Sequence, residues 1–156
     1  MKIGFIGAGT VTRTFGRHLM TAGHTLVVSN SRGPETLAGF VADLGPGASA
    51  GTKQQAAECD VVILATRWVS VPDALQGVDW KGRILIDATN AHVDPVPDIS
   101  LAGVTRSRAA LKGRTSSEMV AEMGVGARLV KSISNHLPDL VPSSLHPVTT
   151  SKPRSS

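Results

Sequence analysis

The chain has no tyrosine and only one cysteine, Cys59, among its 156 residues. Without tyrosine it cannot belong to the short-chain dehydrogenases, whose proton donor is that residue. One cysteine excludes a disulfide framework and a cysteine-rich zinc site, and it fits a reducing compartment. Aromatics are scarce: three Phe and two Trp are too few for a platform on which RNA bases stack. No apolar run approaches the roughly 20 residues that span a bilayer. The opening Met1–Gly7 is too short and too glycine-rich for a signal-peptide core. No Gly-x-x-x-x-Gly-Lys-Ser/Thr string occurs, which argues against an ATPase or GTPase. A soluble, cytoplasmic protein with no metal site is expected.

What is present is ordinary in bulk. The chain carries 16 Lys+Arg against 12 Asp+Glu, a net charge of +4, with 41% hydrophobic and 18% charged residues. That is enough apolar material for a core and too little charge for a disordered chain. At about 150 residues per domain the length allows one domain. The mild positive charge does not choose among nucleic acid, membrane and phosphorylated ligands.

Short apolar runs alternate with helix-like segments. Lys2–Ile6, Thr25–Ser29, Val61–Ala65, Arg83–Asp87 and Arg128–Ser132 read as strands, with Ala48–Ala50 a weaker sixth. Their near-continuous apolar character suits strands buried on both faces of a parallel sheet. Val11, Phe15 and Leu19 recur at a spacing of four in a first helix that Gly23 stops. Leu37, Phe40, Val41 and Leu44 mark a second, with Pro34 in its first turn and Gly45 closing it. Thr52-x-x-Gln55 and Thr115-x-x-Glu118 read as capping boxes. Ser70, followed by Pro72, starts another short helix. Ala91–Arg114 reads as a long, irregular, basic stretch. From Pro138 onward four prolines stand among Ser and Thr, and residues 138–156 read as an irregular tail. The expected domain is therefore 1–137.

Gly7-Ala8-Gly9-Thr10-Val11-Thr12 follows the first strand and opens the first helix. A tight turn needs the first glycine, and a pyrophosphate approaches the backbone where the second has no side chain. The helix N-terminus then offers free N–H groups and a positive dipole end. The order strand, turn, helix is what gives this motif its value. Thr12 replaces the third glycine, whose usual role is close packing of helix on sheet; Gly16, one turn later, is placed to restore it. An NAD enzyme carries Asp or Glu at the end of the second strand. Here Ser29-Asn30-Ser31-Arg32 stands there, with no carboxylate before Glu35. Hydroxyls and a guanidinium suit a 2′-phosphate, so NADP(H) is expected over NAD.

Several strings together resemble the NADP oxidoreductases related to the coenzyme F420-dependent NADP reductases. They are Ile3–Gly9, Ser29-Asn30-Ser31-Arg32-Gly33-Pro34-Glu35, Val62–Ala65, Leu85-Ile86-Asp87-Ala88-Thr89-Asn90 and Ala127–Lys131. The resemblance runs from residue 1 to about 137 and implies an α/β fold of Rossmann type: a doubly wound parallel sheet in three layers. It implies that Gly7 and Gly9 form the phosphate turn and that Thr10 and Val11 cap the pyrophosphate through their backbone. Ser31 and Arg32 would hold the 2′-phosphate, with Asn30 beside them. Ala65, Thr66 and Arg67 would line the groove, and Thr89 and Asn90 would approach the nicotinamide. The activity implied is hydride transfer between NADP(H) and a second cofactor or small substrate, with coenzyme F420 a candidate and a homodimer admitted. Lys131-Ser132-Ile133-Ser134-Asn135-His136 keeps a family lysine but departs from the usual Lys-Ala-Phe-Asn. Where the family continues with further strands and helices, the proline-rich tail is expected in their place.

No catalytic dyad stands out, and hydride transfer to a deazaflavin needs orientation and exclusion of water more than an acid–base pair. A carbonyl or imine substrate would need a proton donor, for which His92 and His136 are placed, although each reads first as a surface histidine. Arg106, Arg108, Lys112 and Arg114 read as a solvated basic run, Trp80 and Cys59 as core, and Asp87 as a structural acceptor. The competing reading is a dinucleotide-binding module or sensor that has lost its substrate half.

Overall fold

In the computed structural model the described residues are 1–93 and 100–132. Six strands alternate with helices: β1 (Lys2–Ile6), β2 (Thr25–Ser29), β3 (Ala48–Ala50), β4 (Val61–Leu64), β5 (Ile84–Asp87) and β6 (Arg128–Lys131). The helices are α1 (Thr10–Thr21), α2 (Ala38–Leu44), α3 (Lys53–Ala57), α4 (Val71–Leu75), α5 (Leu101–Ala110) and α6 (Ser116–Met123). All strand pairs are parallel, in the order β3-β2-β1-β4-β5-β6. The chain fills one half of the sheet, returns to the middle and fills the other. Its topological switch point lies between β1 and β4.

Alternating side chains feed two cores, as a period of two requires. On one face Ile3, Phe5, Leu26, Val28 and Ile63 meet Phe15 and Leu19 of α1 and Leu44 of α2. On the other, Ile6, Val27, Val62, Leu64 and Leu85 meet Ala56 and Ala57 of α3, Val71 and Leu75 of α4, and Val120 of α6. Trp80 and Cys59 are buried in that second core. Burial pushes the Cys59 thiol above its ordinary range. The three-layer, doubly wound sheet expected from the sequence is therefore the fold.

Five expectations need correction. The strands expected at Val61–Ala65, Arg83–Asp87 and Arg128–Ser132 are each one residue shorter; the Arg83 N–H, for example, bonds the Trp80 carbonyl in a turn rather than a neighbouring strand. The second helix begins as a 3-10 turn, Pro34–Leu37, because the Thr36 N–H bonds back to the Gly33 carbonyl. Ser70 does precede α4, but a 3-10 turn, Trp68–Ser70, leads into it and the serine side chain caps nothing. Within Ala91–Arg114 stands α5, capped by the Ser100 hydroxyl, which accepts from the Gly103 N–H. The strand β6, at the sheet's edge, is largely exposed rather than buried on both faces. The expected tail, Asn135 and His136 lie outside the described residues.

Candidate functional site

The carboxyl ends of β1, β2 and β4 surround a groove of about 630 Å³ at the switch point, lined among others by Gly7, Asn30, Ser31, Lys53, Thr66 and Asp73. Open α/β sheets bind ligands at such a place. The turn between β1 and α1 makes its inner wall. Gly7 has φ +120°, and a Cβ there would lie 2.2 Å from the Ala65 carbonyl oxygen, so only glycine fits. Thr12 is buried, and its hydroxyl donates to the Gly7 carbonyl at 2.7 Å. It ties the first turn of α1 to the glycine loop. Gly16 is buried against Leu26, whose Cδ1 would stand 3.1 Å from an added Cβ. The close approach of helix to sheet that Thr12 does not supply is thus made at Gly16.

Gly9 differs from Gly7. Its φ is −114°, and nothing lies within 4 Å of an added Cβ. It is the N-cap of α1, where no side chain caps the helix and no acidic residue stands in the first turn. α3, α5 and α6 cap themselves with Thr52, Ser100 and Thr115. α1, like α2 and α4, has no side-chain cap, but it opens directly from the glycine turn, and a helix N-terminus so placed suits an anion. Thr10 is exposed and Val11 half-buried there.

At the end of β2, Ser29 is buried, and its hydroxyl donates to the Phe5 carbonyl at 3.0 Å. Asn30 shapes the next loop. Its Oδ1 accepts from the Arg32 N–H at 3.0 Å, and its Nδ2 donates to the Thr36 hydroxyl at 2.9 Å. The Thr36 hydroxyl in turn donates to the Gly33 carbonyl. The loop so fixed exposes Ser31 and Arg32, and the Arg32 guanidinium has no hydrogen bond or ion pair among the described residues. The Glu35 carboxylate folds back over Gly33, 2.4 Å from the place of a Cβ.

Past β4, Ala65 and Thr66 are half-buried and Arg67 is exposed. Past β5, Asp87 is fully buried and accepts from both the N–H and the hydroxyl of Thr89, at 2.9 and 2.7 Å. Thr89 is 2% exposed, so its hydroxyl is engaged internally. Asn90 is exposed, and its carbonyl accepts from the His92 N–H. The His92 Nδ1 is buried with no hydrogen-bond partner among the described residues.

Of the residues expected at the site, Gly7, Asn30, Ser31 and Thr66 line the groove; Gly9, Thr10, Val11, Arg32, Ala65, Arg67, Thr89 and Asn90 are not among its lining. Reading the sequence missed Thr52, Lys53, Ser70, Asp73 and Ala74, which also line it. Lys53 Nζ donates to the carbonyls of Asp73 and Gln76 at 2.9 and 2.6 Å, fastening α3 to α4. The Thr52 capping box and the Ser70-Pro72 helix start were legible signals that the chain turns there. Among the described residues no group of three or more His, Cys, Asp or Glu is placed to hold a metal ion, and no helix is long and apolar enough to cross a membrane.

A profile of the family described as NADP oxidoreductase, coenzyme F420-dependent, matches residues 2–91. A solved structure of a hypothetical protein from Sinorhizobium meliloti is 31% identical, with 89% of this chain and 64% of that one covered at a TM-score of 0.73. A provisionally assigned F420-dependent NADP reductase from Arthrobacter sp. FB24 is 23% identical, with 90% and 65% covered at 0.71. A reductive aminase from Aspergillus terreus, solved with NADPH, is 18% identical, with 88% and 42% covered at 0.61. The last two share the fold. The chain spans less than two thirds of the length of each of these proteins.

Proposed function

The chain belongs to the family of coenzyme F420-dependent NADP oxidoreductases, and on that premise we propose that it binds NADP(H) and serves hydride transfer to or from a second cofactor or small substrate, coenzyme F420 being the first to test. The observation that carries this reading is the uncapped N-terminus of α1 at Gly9, facing open space beside the groove. A bound dinucleotide would supply or accept the hydride through its nicotinamide. The chain's own residues orient and select. The α1 N–H groups take the pyrophosphate, and Ser31 and Arg32 take the 2′-phosphate. The turns after β4 and β5 receive the nicotinamide half.

A charge-assisted contact from Arg32 is worth about 1.5–3 kcal/mol, or about ten- to a hundredfold in affinity. Titration calorimetry with NADPH and NADH tests this. Wild type should prefer NADPH, and Arg32→Ala should weaken NADPH by about that factor while leaving NADH nearly unchanged. Tighter binding of NADH by wild type would refute the assignment. A second reading, a binding module or sensor without turnover of its own, is favoured by the groove's lining. Its ionisable groups are Lys53 and Asp73, and the lysine ammonium is committed to backbone carbonyls. No oxidation of NADPH by coenzyme F420 at saturating concentrations would support that reading.

A further inference from the structure

The most unusual side chain in the sheet is Asp87. It ends β5, the strand next to the edge strand β6, and is fully buried, where the equivalent ends of β1 and β4 carry Ile6 and Leu64 and that of β2 a buried Ser29. Parallel pairing sets Asp87 beside Lys131 of β6. Lys131 Nζ donates to Asp87 Oδ2 at 3.0 Å and also to the Thr89 carbonyl, while its side chain keeps 32% of its exposure. The other carboxylate oxygen, Oδ1, holds the Thr89 N–H and hydroxyl. The Ser132 N–H bonds the Asp87 carbonyl at 3.2 Å. Five hydrogen bonds thus join Asp87, Thr89, Lys131 and Ser132 where the turn 88–92 leaves β5.

A buried ion pair is often matched or bettered by apolar residues of similar size, and Leu64 occupies the paired position on β4. What the cluster does secure is position. In a doubly wound sheet the dinucleotide lies across both halves, and the groove already accounts for the half beside β1 and β2. The turn after β5 faces the other half.

We propose that Lys131 is a positioning residue for the nicotinamide half of the dinucleotide: by holding the Asp87 carboxylate and the Thr89 carbonyl together, it keeps the turn 88–92 in the conformation that receives that half. The inference rests on the dinucleotide-binding reading above. Lys131 stands on the exposed edge strand and does not line the groove, so it acts only through the turn.

The test compares two ligands on the full chain by calorimetry: NADPH, and 2′-phospho-ADP-ribose, which lacks the nicotinamide. Lys131→Met should weaken NADPH about tenfold or more and leave 2′-phospho-ADP-ribose unchanged, and Lys131→Arg should restore part of the loss. Lys131→Met strands a buried carboxylate and risks unfolding, so Asp87→Asn/Lys131→Met is measured beside it. The pair removes both charges, keeps an acceptor for Thr89 and still frees the Thr89 carbonyl. The same NADPH-selective loss in a cooperatively melting double variant supports the proposal. Equal losses for both ligands, or no loss for either, overturn it. If wild type itself binds neither ligand, the dinucleotide reading fails and takes this inference with it.

Discussion

At Gly7 the backbone takes φ +120° and the Ala65 carbonyl crowds the place of a Cβ, whereas at Gly9 neither constraint exists. The two substitutions therefore have separable effects. Gly7→Ala should destabilise the fold by at least about 1–3 kcal/mol through backbone strain alone, read by urea denaturation. Gly9→Ala should lower stability by no more than about 1 kcal/mol, the usual range for an N-cap, yet weaken NADPH binding tenfold or more. A Gly9→Ala protein that binds NADPH like wild type would show that the open space is not the pyrophosphate site. The places of Gly7 and Ser31 at the groove were legible because they depend on spacing along the chain, whereas Gly9 and Arg32 stand outside its lining. The task of Asn30 was only half legible. Its place at the strand end was visible, but its amide is committed to Arg32 and Thr36 in shaping the loop. Lys53 and Asp73 were not legible, since only the crossovers from β3 to β4 and from β4 to β5 bring them to the groove.

Helix ends and strand ends divide in the same way. Both capping boxes form as the local pattern requires, Thr52 with Gln55 and Thr115 with Glu118. α5 was hidden because it buries Gly103 and Ser107 rather than an apolar stripe, and helical periodicity is read from apolar residues. Arg106, Arg108, Lys112 and Arg114 are exposed as expected, but the first two ride on that helix. The α6 box carries a pH signature. Hydrogen bonds from the Thr115 N–H, then from its hydroxyl, hold the Glu118 carboxyl below the usual glutamate range. Its contribution is complete above the ordinary glutamate value and is lost as pH falls through the lowered one. Melting temperatures should therefore show wild type losing this increment below about pH 4.3, with Glu118→Gln following a flatter course over the same interval. Thr115→Ala should cost about 1 kcal/mol at neutral pH.

For the molecule as a whole, the parallel sheet was legible, because apolar strands separated by helices dictate one, while the order β3-β2-β1-β4-β5-β6 is seen only in the structure. Which strands end at the edge was less visible, because Arg128–Lys131 is as apolar in its middle as the buried strands and shows its exposure only in place. A ligand that binds only the folded chain raises its stability as a whole. At a hundredfold excess over Kd the gain is about 2.7 kcal/mol, which for a chain of this size should raise Tm by about 5–10 °C with NADPH. A smaller rise with NADH at equal concentration is expected, and equal rises would contradict selection at Arg32. The central place of β1 bears on how the protein is made. β1 precedes all its partners in the chain, and its hydrogen bonding is complete only when Val61–Leu64 of β4 lies beside it. During synthesis the apolar Lys2–Ile6 segment thus waits, one edge unpaired, until Val61–Leu64 has left the ribosome. An arrested nascent chain that stops short of β4 would present that bare edge to its neighbours, making it a natural client for chaperones and a seed for aggregation.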